Sequence, residues 1–227
     1  RPLRHARSPP HAPRATPPPP PAPPHPPHPT PPPDAPRMKP LAALILPGSK
    51  HTVGSLDWLR SQGLAKRIVE LATSGLPVYG VCGGLQMLGR TIHDPAGIEG
   101  GDAQGLGLLE VETTFGSEKT TRQTTVACAE GGNVTGYEIH LGQTSASPRV
   151  KPHLDGGLGF RQGNVTGVYL HGIFANDGYR QRFLADLGWH GVIGDWQARV
   201  RAEFDRVADL VDSSGWAEDL AILPTAR

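Results

Sequence analysis

The chain has 227 residues and a formal net charge of +1, and 19 of its 25 prolines stand before position 41. A nearly neutral charge gives no electrostatic reason to expect binding to nucleic acid, and no apolar run approaches the roughly 20 residues that cross a bilayer, so we expect no membrane partner either. Cys82 and Cys128 are the only cysteines, too few for a disulfide framework, which favours a reducing cytoplasm as the location.

Residues 1–37 are mainly Pro, Ala, His and Arg, with almost no large apolar side chains. Such a segment cannot bury enough surface to offset the entropy of ordering it, so we predict disorder. A passive linker or a mistranslated segment is the favoured interpretation, and a ligand for a proline-binding module is the alternative. Residues 38–227 are predicted to form one α/β domain.

The first predicted elements of that domain are two strands and the helix between them. Residues 41–46 form an apolar run that ends in Pro-Gly, which is typical of a buried parallel strand. Apolar residues recur near helical spacing over 55–73, so we predict a helix there, with Gly63 as an interruption. Residues 78–81 are the next strand, and a short helix follows at once.

The junction of that strand and helix carries the most informative motif, Gly80-Val81-Cys82-Gly83-Gly84. A strand, a sharp turn and a helix form a nucleophile elbow, here with sulfur where hydrolases carry a serine hydroxyl. The glycines allow the tight turn, and we expect the helix start to lower the thiol pKa of Cys82 and favour the thiolate. The alternative is a cysteine that is simply buried in the core.

The second half of the domain begins with short strands, predicted at 106–114, 123–127, 134–141 and 165–170. Helices are predicted at 178–187 and 196–211. The last helix has an apolar stripe that we expect to pack on the sheet, formed by Val200, Phe204, Val207, Leu210 and Val211. The order of these strands and helices along the chain predicts an α/β fold with a mixed, mainly parallel sheet flanked by helices.

A thiol nucleophile needs a proton acceptor and an oxyanion hole. His171 is the best acceptor, because it follows the strand 165–170 at an edge where parallel sheets present functional groups. A structural histidine at a strand end is the alternative. Backbone amides of Gly83 and of Gly48 or Ser49 are the predicted oxyanion donors. Ile173 stands two residues after the histidine, so no carboxylate follows locally, and a thiol can act without one.

Motifs for other cofactors are missing from the sequence. It contains no Gly-x4-Gly-Lys-Ser/Thr segment, and therefore no obvious cradle for nucleotide phosphates. No cysteine and histidine set has zinc spacing, so we expect no metal ligand, and Cys128 is interpreted as a small strand residue.

Four segments together are similar to the class I (triad) glutamine amidotransferases, and their details resemble the C-terminal glutaminase domain of the cobyric acid synthase family. They are 46–52 (Leu-Pro-Gly-Ser-Lys-His-Thr), the elbow at 80–89, 136–144 (Gly-Tyr-Glu-Ile-His-Leu-Gly-Gln-Thr) and 169–174 (Tyr-Leu-His-Gly-Ile-Phe). The likeness extends over about residues 41–212.

This resemblance implies a flavodoxin-like fold with Cys82 as nucleophile and His171 as its partner, in a branch without the usual carboxylate. It also places Gln86, Tyr137 and His140 among the candidates that shape the glutamine pocket. Tyr137, Glu138 and His140 belong to one matching segment, for which a role in the glutamine pocket, contact with a synthetase domain or a purely structural strand remains open.

The reaction implied by the resemblance is hydrolysis of glutamine through a cysteine thioester. The ammonia would amidate carboxylates of a corrin, in cobalamin biosynthesis, after activation by an N-terminal ATP-binding synthetase domain. We expect ATP and Mg²⁺ only on that domain, which this sequence lacks, and no cofactor on this chain. A fragment is favoured over a separate subunit. Two other functions stay open: a γ-glutamyl peptidase type of cysteine hydrolase, or an inactive binding remnant.

Overall fold

The computed structural model describes residues 41–214. In chain order the elements are β1 (Leu44–Leu46), α1 (Thr52–Ser61), α2 (Leu64–Thr73), β2 (Val78–Val81), α3 (Gly83–Leu88), β3 (Thr91–His93), β4 (Ala103–Gln104), β5 (Val111–Ala127), β6 (Asn133–Ala146), β7 (Lys151–Leu154), β8 (Gly159–Gln162), β9 (Val165–Val168), α4 (Asp177–Asp186) and α5 (Trp196–Ser213). The predicted proline-rich segment 1–37 lies outside the described residues, so the domain boundary at 37/38 stays a prediction.

The first sheet has five strands in the order β1-β2-β9-β8-β7. The pairs β1–β2 and β2–β9 are parallel, while β9–β8 and β8–β7 are antiparallel. The predicted mixed sheet flanked by helices is therefore confirmed, but the sheet is not mainly parallel, because two of its four strand pairs are antiparallel. Because parallel strands end at one edge of a sheet, the loops that carry Gly48, Cys82 and His171 converge there.

The β-rich middle of the chain forms a second sheet, in the order β4-β3-β5-β6. The strands predicted separately at 106–114 and 123–127 belong to one long strand, β5, which has a register shift between Thr114 and Lys119. Gly116 lies within this register shift. The strand continues on both sides of the shift because β6 pairs with residues 111–114 and again with 119–127.

The helix predicted over 55–73 is two helices, α1 and α2, and Gly63 separates them. Gly63 has φ of 71°, a left-handed conformation that glycine adopts without steric cost. The predicted interruption at Gly63 is therefore confirmed.

The prediction that the apolar stripe of α5 packs on the sheet is wrong. Phe204 and Leu210 are each 68% exposed, and no residue of α5 is buried. The helix is joined to α4 near its start, where the Arg180 guanidinium lies 5.9 Å from the Trp196 ring centroid. Periodicity shows that a helix has an apolar face, but it does not say what covers that face. None of the described helices is long and apolar enough to cross a membrane.

The short helix α3 lies in the core, with Leu85 and Leu88 fully buried. It approaches β1 so closely that a Cβ on Gly84 would lie 2.2 Å from the carbonyl oxygen of Leu46. Only glycine allows this contact, and it fixes the end of β1 against the turn that carries Cys82.

Candidate active site

Cys82 lies between β2 and α3 in a strained backbone conformation, with φ of 52° and ψ of −110°. It is the only residue other than glycine with positive φ within residues 41–214. Its N–H donates to the carbonyl of Val168 at 2.7 Å, and its carbonyl accepts from the N–H of Gln86 at 3.2 Å. Such strain persists only where the surroundings enforce it, and strand, turn and helix here have the geometry of a nucleophile elbow.

The Cys82 thiol is buried in the resting site, and its Sγ–H donates to the carbonyl of Ile139 at 3.3 Å. Burial is the largest influence and raises the pKa of Cys82, although the Gly83 amide lowers it. Glu99 raises this pKa and Lys119 lowers it. The expected lowering by the helix start is therefore wrong in net direction, because one amide of a six-residue helix does not outweigh desolvation.

His171 lies next to Cys82 across the loop that follows β1. A Cβ on Gly48 would lie 3.1 Å from Cε1 of His171 and 3.6 Å from Cβ of Cys82, so the two side chains flank one point. Nε2 of His171 is buried and has no hydrogen-bond partner among the described residues. Burial lowers the pKa of His171, although a hydrogen bond to the Ile139 backbone opposes this. A neutral ring with a free nitrogen can accept a proton.

Tyr137 holds the plane of the His171 ring. The two rings stack with centroids 5.0 Å apart and an interplanar angle of 7°. Their backbones also exchange two hydrogen bonds, from the Tyr137 N–H at 3.2 Å and from the His171 N–H at 2.9 Å. A Cβ on Gly136 would lie 2.2 Å from the His171 carbonyl oxygen, so glycine permits this approach. An aromatic ring and a backbone pair thus support the histidine, where other class members are expected to use a carboxylate.

The segments that carry the predicted oxyanion donors lie in contact. A Cβ on Gly83 would lie 2.9 Å from the backbone nitrogen of Ser49 and 3.1 Å from its Cβ. The Ser49 hydroxyl lies 2.6 Å from the Ser55 hydroxyl and accepts from the His51 N–H at 3.0 Å, which fixes the loop. Two backbone amides held beside a nucleophile are the components of an oxyanion hole.

Gln86 is buried, and protein groups occupy its side-chain amide. Oε1 accepts from the Thr52 hydroxyl at 3.0 Å, while Nε2 lies 3.0 Å from the Leu141 carbonyl and 3.3 Å from the Tyr169 hydroxyl. These bonds join α1, β6 and the residue that follows β9. The geometry favours Gln86 as a support of the cleft wall, and contact with substrate stays a prediction.

His140 lies on the same wall and stacks on Tyr169, with centroids 3.9 Å apart. Its Nδ1 lies 3.1 Å from the Gly142 carbonyl oxygen, and its Nε2 lies 3.4 Å from Oε2 of Glu138. Glu138 is itself buried and accepts from Nε of Arg122 at 2.6 Å. This network orients the imidazole of His140 toward the cleft.

The cleft beside Cys82 has a volume of about 270 Å³ and contains charges that the sequence analysis did not assign. Its lining comprises Ser49, Lys50, Thr52, Cys82, Gln86, Glu99, Phe115, Lys119, Ile139, His140 and Leu141. The predicted residues Ser49, Cys82, Gln86 and His140 thus share one cleft. Glu99 was missed because no local motif marks a charged residue on a loop. Lys50, within the segment 46–52, and Lys119, on the polar part of β5, were given no role.

Glu99 is positioned by the buried carboxylate of Asp94. That carboxylate accepts from the backbone N–H groups of Ile98, Glu99 and Gly101 at 2.8, 2.7 and 3.0 Å. Burial favours the neutral acid, but these hydrogen bonds outweigh it and hold the pKa of Asp94 below its usual value. Glu99 Oε2 in turn accepts from the N–H of Val53 at 3.0 Å, so the loop holds a carboxylate at the cleft.

The fold is that of a glutamine amidotransferase domain. A crystal structure described as that of a glutamine amidotransferase has a TM-score of 0.51 and 20% identity to this chain, and it covers 66% of this chain and 80% of its own. This likeness supports the fold. Residues 30–179 match the family described as the CobB/CobQ-like glutamine amidotransferase domain, and the chain belongs to that family.

Curated relatives in this family are named cobyric acid synthase. The protein from Deinococcus radiodurans is 49% identical over 169 residues, which are 70% of this chain and 35% of the relative. The protein from Rhizobium rhizogenes is 43% identical over 189 residues, which are 78% of this chain and 39% of the relative. The matched part thus spans between a third and two fifths of each relative's length.

Proposed function

We propose that this domain hydrolyses glutamine, with Cys82 as the nucleophile and His171 as the proton carrier. One observation carries the proposal: the side chains of Cys82 and His171 flank the same point of the loop after β1, with Cβ of Cys82 and Cε1 of His171 nearest to it, and Nε2 of His171 has no hydrogen-bond partner among the described residues. A thiol, a proton acceptor and two nearby amides are sufficient for attack on an amide carbonyl.

The proposed reaction begins when His171 accepts the thiol proton and Cys82 Sγ bonds to the side-chain carbonyl carbon of glutamine. The carbonyl oxygen becomes an oxyanion, which the amides of Gly83 and of Gly48 or Ser49 stabilise. The C–N bond then breaks, and the protonated His171 returns the proton to the leaving ammonia. Water hydrolyses the resulting thioester and releases glutamate, which regenerates the thiol.

The charges of the cleft fit the other end of glutamine, which carries an ammonium and a carboxylate. We infer that Lys119 and Lys50 bind the α-carboxylate and that Glu99 binds the α-ammonium. Glu99 and Lys119 both act on the pKa of Cys82, which supports a position near the thiol. A site with both signs of charge selects a zwitterion over a peptide whose α-groups are blocked.

The name of the relatives supports a proposal for the ammonia acceptor. They are named cobyric acid synthase and are more than twice the length of the matched segment. We propose that ammonia from this domain amidates corrin carboxylates, which a synthetase domain activates with ATP and Mg²⁺. Glutamine and that domain are then the partners, and Tyr137, 47% exposed beside His171, is available for contact with it.

The test is ammonia release from glutamine compared with hydrolysis of γ-glutamyl peptides, with Cys82→Ser as control. We expect a higher kcat/KM for glutamine and loss of the signal in the variant. Faster hydrolysis of the peptides would favour a peptidase instead. If the chain alone is slow, the synthetase portion of a relative, supplied with ATP, Mg²⁺ and corrin, should raise the rate. Inactivity in that complex would contradict the proposal.

A further inference from the structure

A second cavity lies at the opposite end of β2 from Cys82 and has a volume of about 480 Å³. Val78 and Tyr79, at the start of β2, form part of its wall together with Glu130, His153 and Tyr179. The proposed glutamine reaction uses none of these residues. The cavity is therefore a separate feature of the domain.

Three possible metal ligands meet beside this cavity: Cys128, Glu130 and His153. One donor atom from each lies within 4.8 Å of the other two. Cys128 and His153 are 5% and 3% exposed, whereas the Glu130 side chain is 32% exposed. Two donors thus lie in the interior, and the third is partly exposed to solvent, which gives an ion a route in.

The backbone brings the ligands together from two parts of the chain. The Cys128 N–H donates to the Gly132 carbonyl at 2.9 Å, which closes the turn that carries Glu130. The Ala129 N–H donates to the His153 carbonyl at 3.0 Å and ties this turn to β7. The spacing of these three ligands along the sequence could not reveal the site, because Cys128 and Glu130 follow β5 whereas His153 lies on β7.

The two ring nitrogens of His153 have different surroundings. Nε2 lies 2.8 Å from the Tyr179 hydroxyl, which lies 2.6 Å from the Tyr79 hydroxyl. Nδ1 faces Glu130, with 3.7 Å to Oε1. Histidines that bind metals commonly hold one nitrogen in such a hydrogen bond and give the other to the ion. The tyrosine pair therefore orients Nδ1 as a ligand.

We propose that Cys128 Sγ, His153 Nδ1 and the Glu130 carboxylate bind a divalent ion of the zinc class. Sulfur, imidazole and carboxylate are the ligand types of Zn²⁺, with bonds of about 2.0–2.3 Å, and a fourth position is left for water from the cavity. Binding releases the thiol proton of Cys128 to solvent and forms the sulfur–metal bond. Arg161 also donates to Glu130, and a carboxylate with two oxygens can serve both partners.

The test is a titration of the full chain with Co²⁺, an analogue of Zn²⁺ whose thiolate complexes absorb in the near ultraviolet. We expect one ion per chain and a thiolate-to-cobalt band that Zn²⁺ abolishes. Histidines of the N-terminal segment cannot produce this band, because residues 1–40 contain no cysteine. Cys128→Ser should abolish it, and Cys82→Ser, the matched control, should leave it unchanged.

Two further variants keep the test decisive if Cys128→Ser does not fold. Glu130→Gln, on a half-exposed side chain, and His153→Gln should each weaken Co²⁺ binding at least about tenfold. Their far-ultraviolet circular dichroism reports whether the fold is kept. The proposal is overturned if the folded wild type shows no thiolate band, or if the band depends on Cys82 and not on Cys128.

Discussion

The two cysteines are almost equally buried, at 6% and 5% exposure, but their surroundings differ. Cys82 lies in a strained turn beside a free histidine nitrogen and a cleft with charged walls. Cys128 lies at the end of a regular strand, beside a histidine and a carboxylate that can act as metal ligands. Burial alone therefore does not distinguish a nucleophile from a ligand. Backbone strain and the neighbouring donors make the distinction.

The largest expected effect separates the two cysteines directly. Cys82→Ser should lower ammonia release from glutamine at least about a thousandfold, because a serine hydroxyl is far less acidic than a thiol. Cys128→Ser should stay within about twofold of wild type, since that residue lies outside the glutamine cleft. Steady-state ammonia assays of both variants measure the contrast. If both variants lost ammonia release to a comparable extent, Cys82 could not be singled out as the nucleophile.

The next effect concerns the proton acceptor. His171→Ala should lower the rate of ammonia release about 10²–10⁴-fold, since proton transfer then depends on water. His153→Ala replaces the histidine beside Cys128, and it should change that rate little. Assays of ammonia release, stopped at fixed times and run in parallel with the wild-type enzyme, give the rate of each variant relative to wild type. A rate near wild type for His171→Ala would assign proton transfer to another group.

Close packing behind the elbow gives a prediction about stability. Gly84→Ala should lower the free energy of unfolding by about 2–4 kcal/mol, because the new Cβ meets the Leu46 carbonyl oxygen at 2.2 Å. Gly116→Ala is the control: nothing lies within 4 Å of its Cβ position, and we expect a change below about 0.5 kcal/mol. Urea denaturation measures both. Equal changes in the free energy of unfolding for the two variants would mean that the backbone near Gly84 shifts at little cost to accommodate the new Cβ.

A smaller effect tests the support of His171. Tyr137→Ala should reduce kcat about three- to tenfold through loss of ring stacking, whereas Tyr137→Phe should stay close to wild type. Because Tyr137 acts on the histidine, the alanine variant should also alter the pH dependence of kcat. An unchanged profile together with a raised KM would make Tyr137 a substrate contact instead.

The smallest predicted effect is a pH dependence at Cys82. Its pKa is raised by burial, so the neutral thiol dominates at neutral pH and the thiolate fraction grows as pH rises. Alkylation by a small neutral electrophile should therefore be slow at pH 7 and still increase above the ordinary thiol pKa. A plateau below that value would mean that the free enzyme already holds a thiolate.

The elements with strong local signals were predictable from the sequence. The apolar runs of β1 and β2, the interruption at Gly63 and the sharp turn at Cys82 all follow from nearby residues. The convergence of Cys82 and His171 follows from strand ends that meet at one sheet edge. Such features need only local chemistry and one rule of sheet topology.

Features that depend on distant partners were not predictable. The unbroken strand β5 needs β6 beside it, and the exposed face of α5 depends on what lies next to the helix. Glu99 reaches the cleft through a loop that Asp94 organises. Cys128 directly follows β5 and His153 lies on β7, so their spacing resembles no metal motif. In each case the decisive contact joins residues that local patterns treat separately.

Of the two cysteines, Cys82 and not Cys128 is expected to react with glutamine. The most direct measurement treats the full chain with a diazoketone analogue of glutamine and locates the adduct by peptide mass spectrometry. We predict a single adduct on Cys82, suppressed by excess glutamine, absent in Cys82→Ala and retained in Cys128→Ser. An adduct on Cys128, or labelling that persists in Cys82→Ala, would show that Cys82 is not the nucleophile.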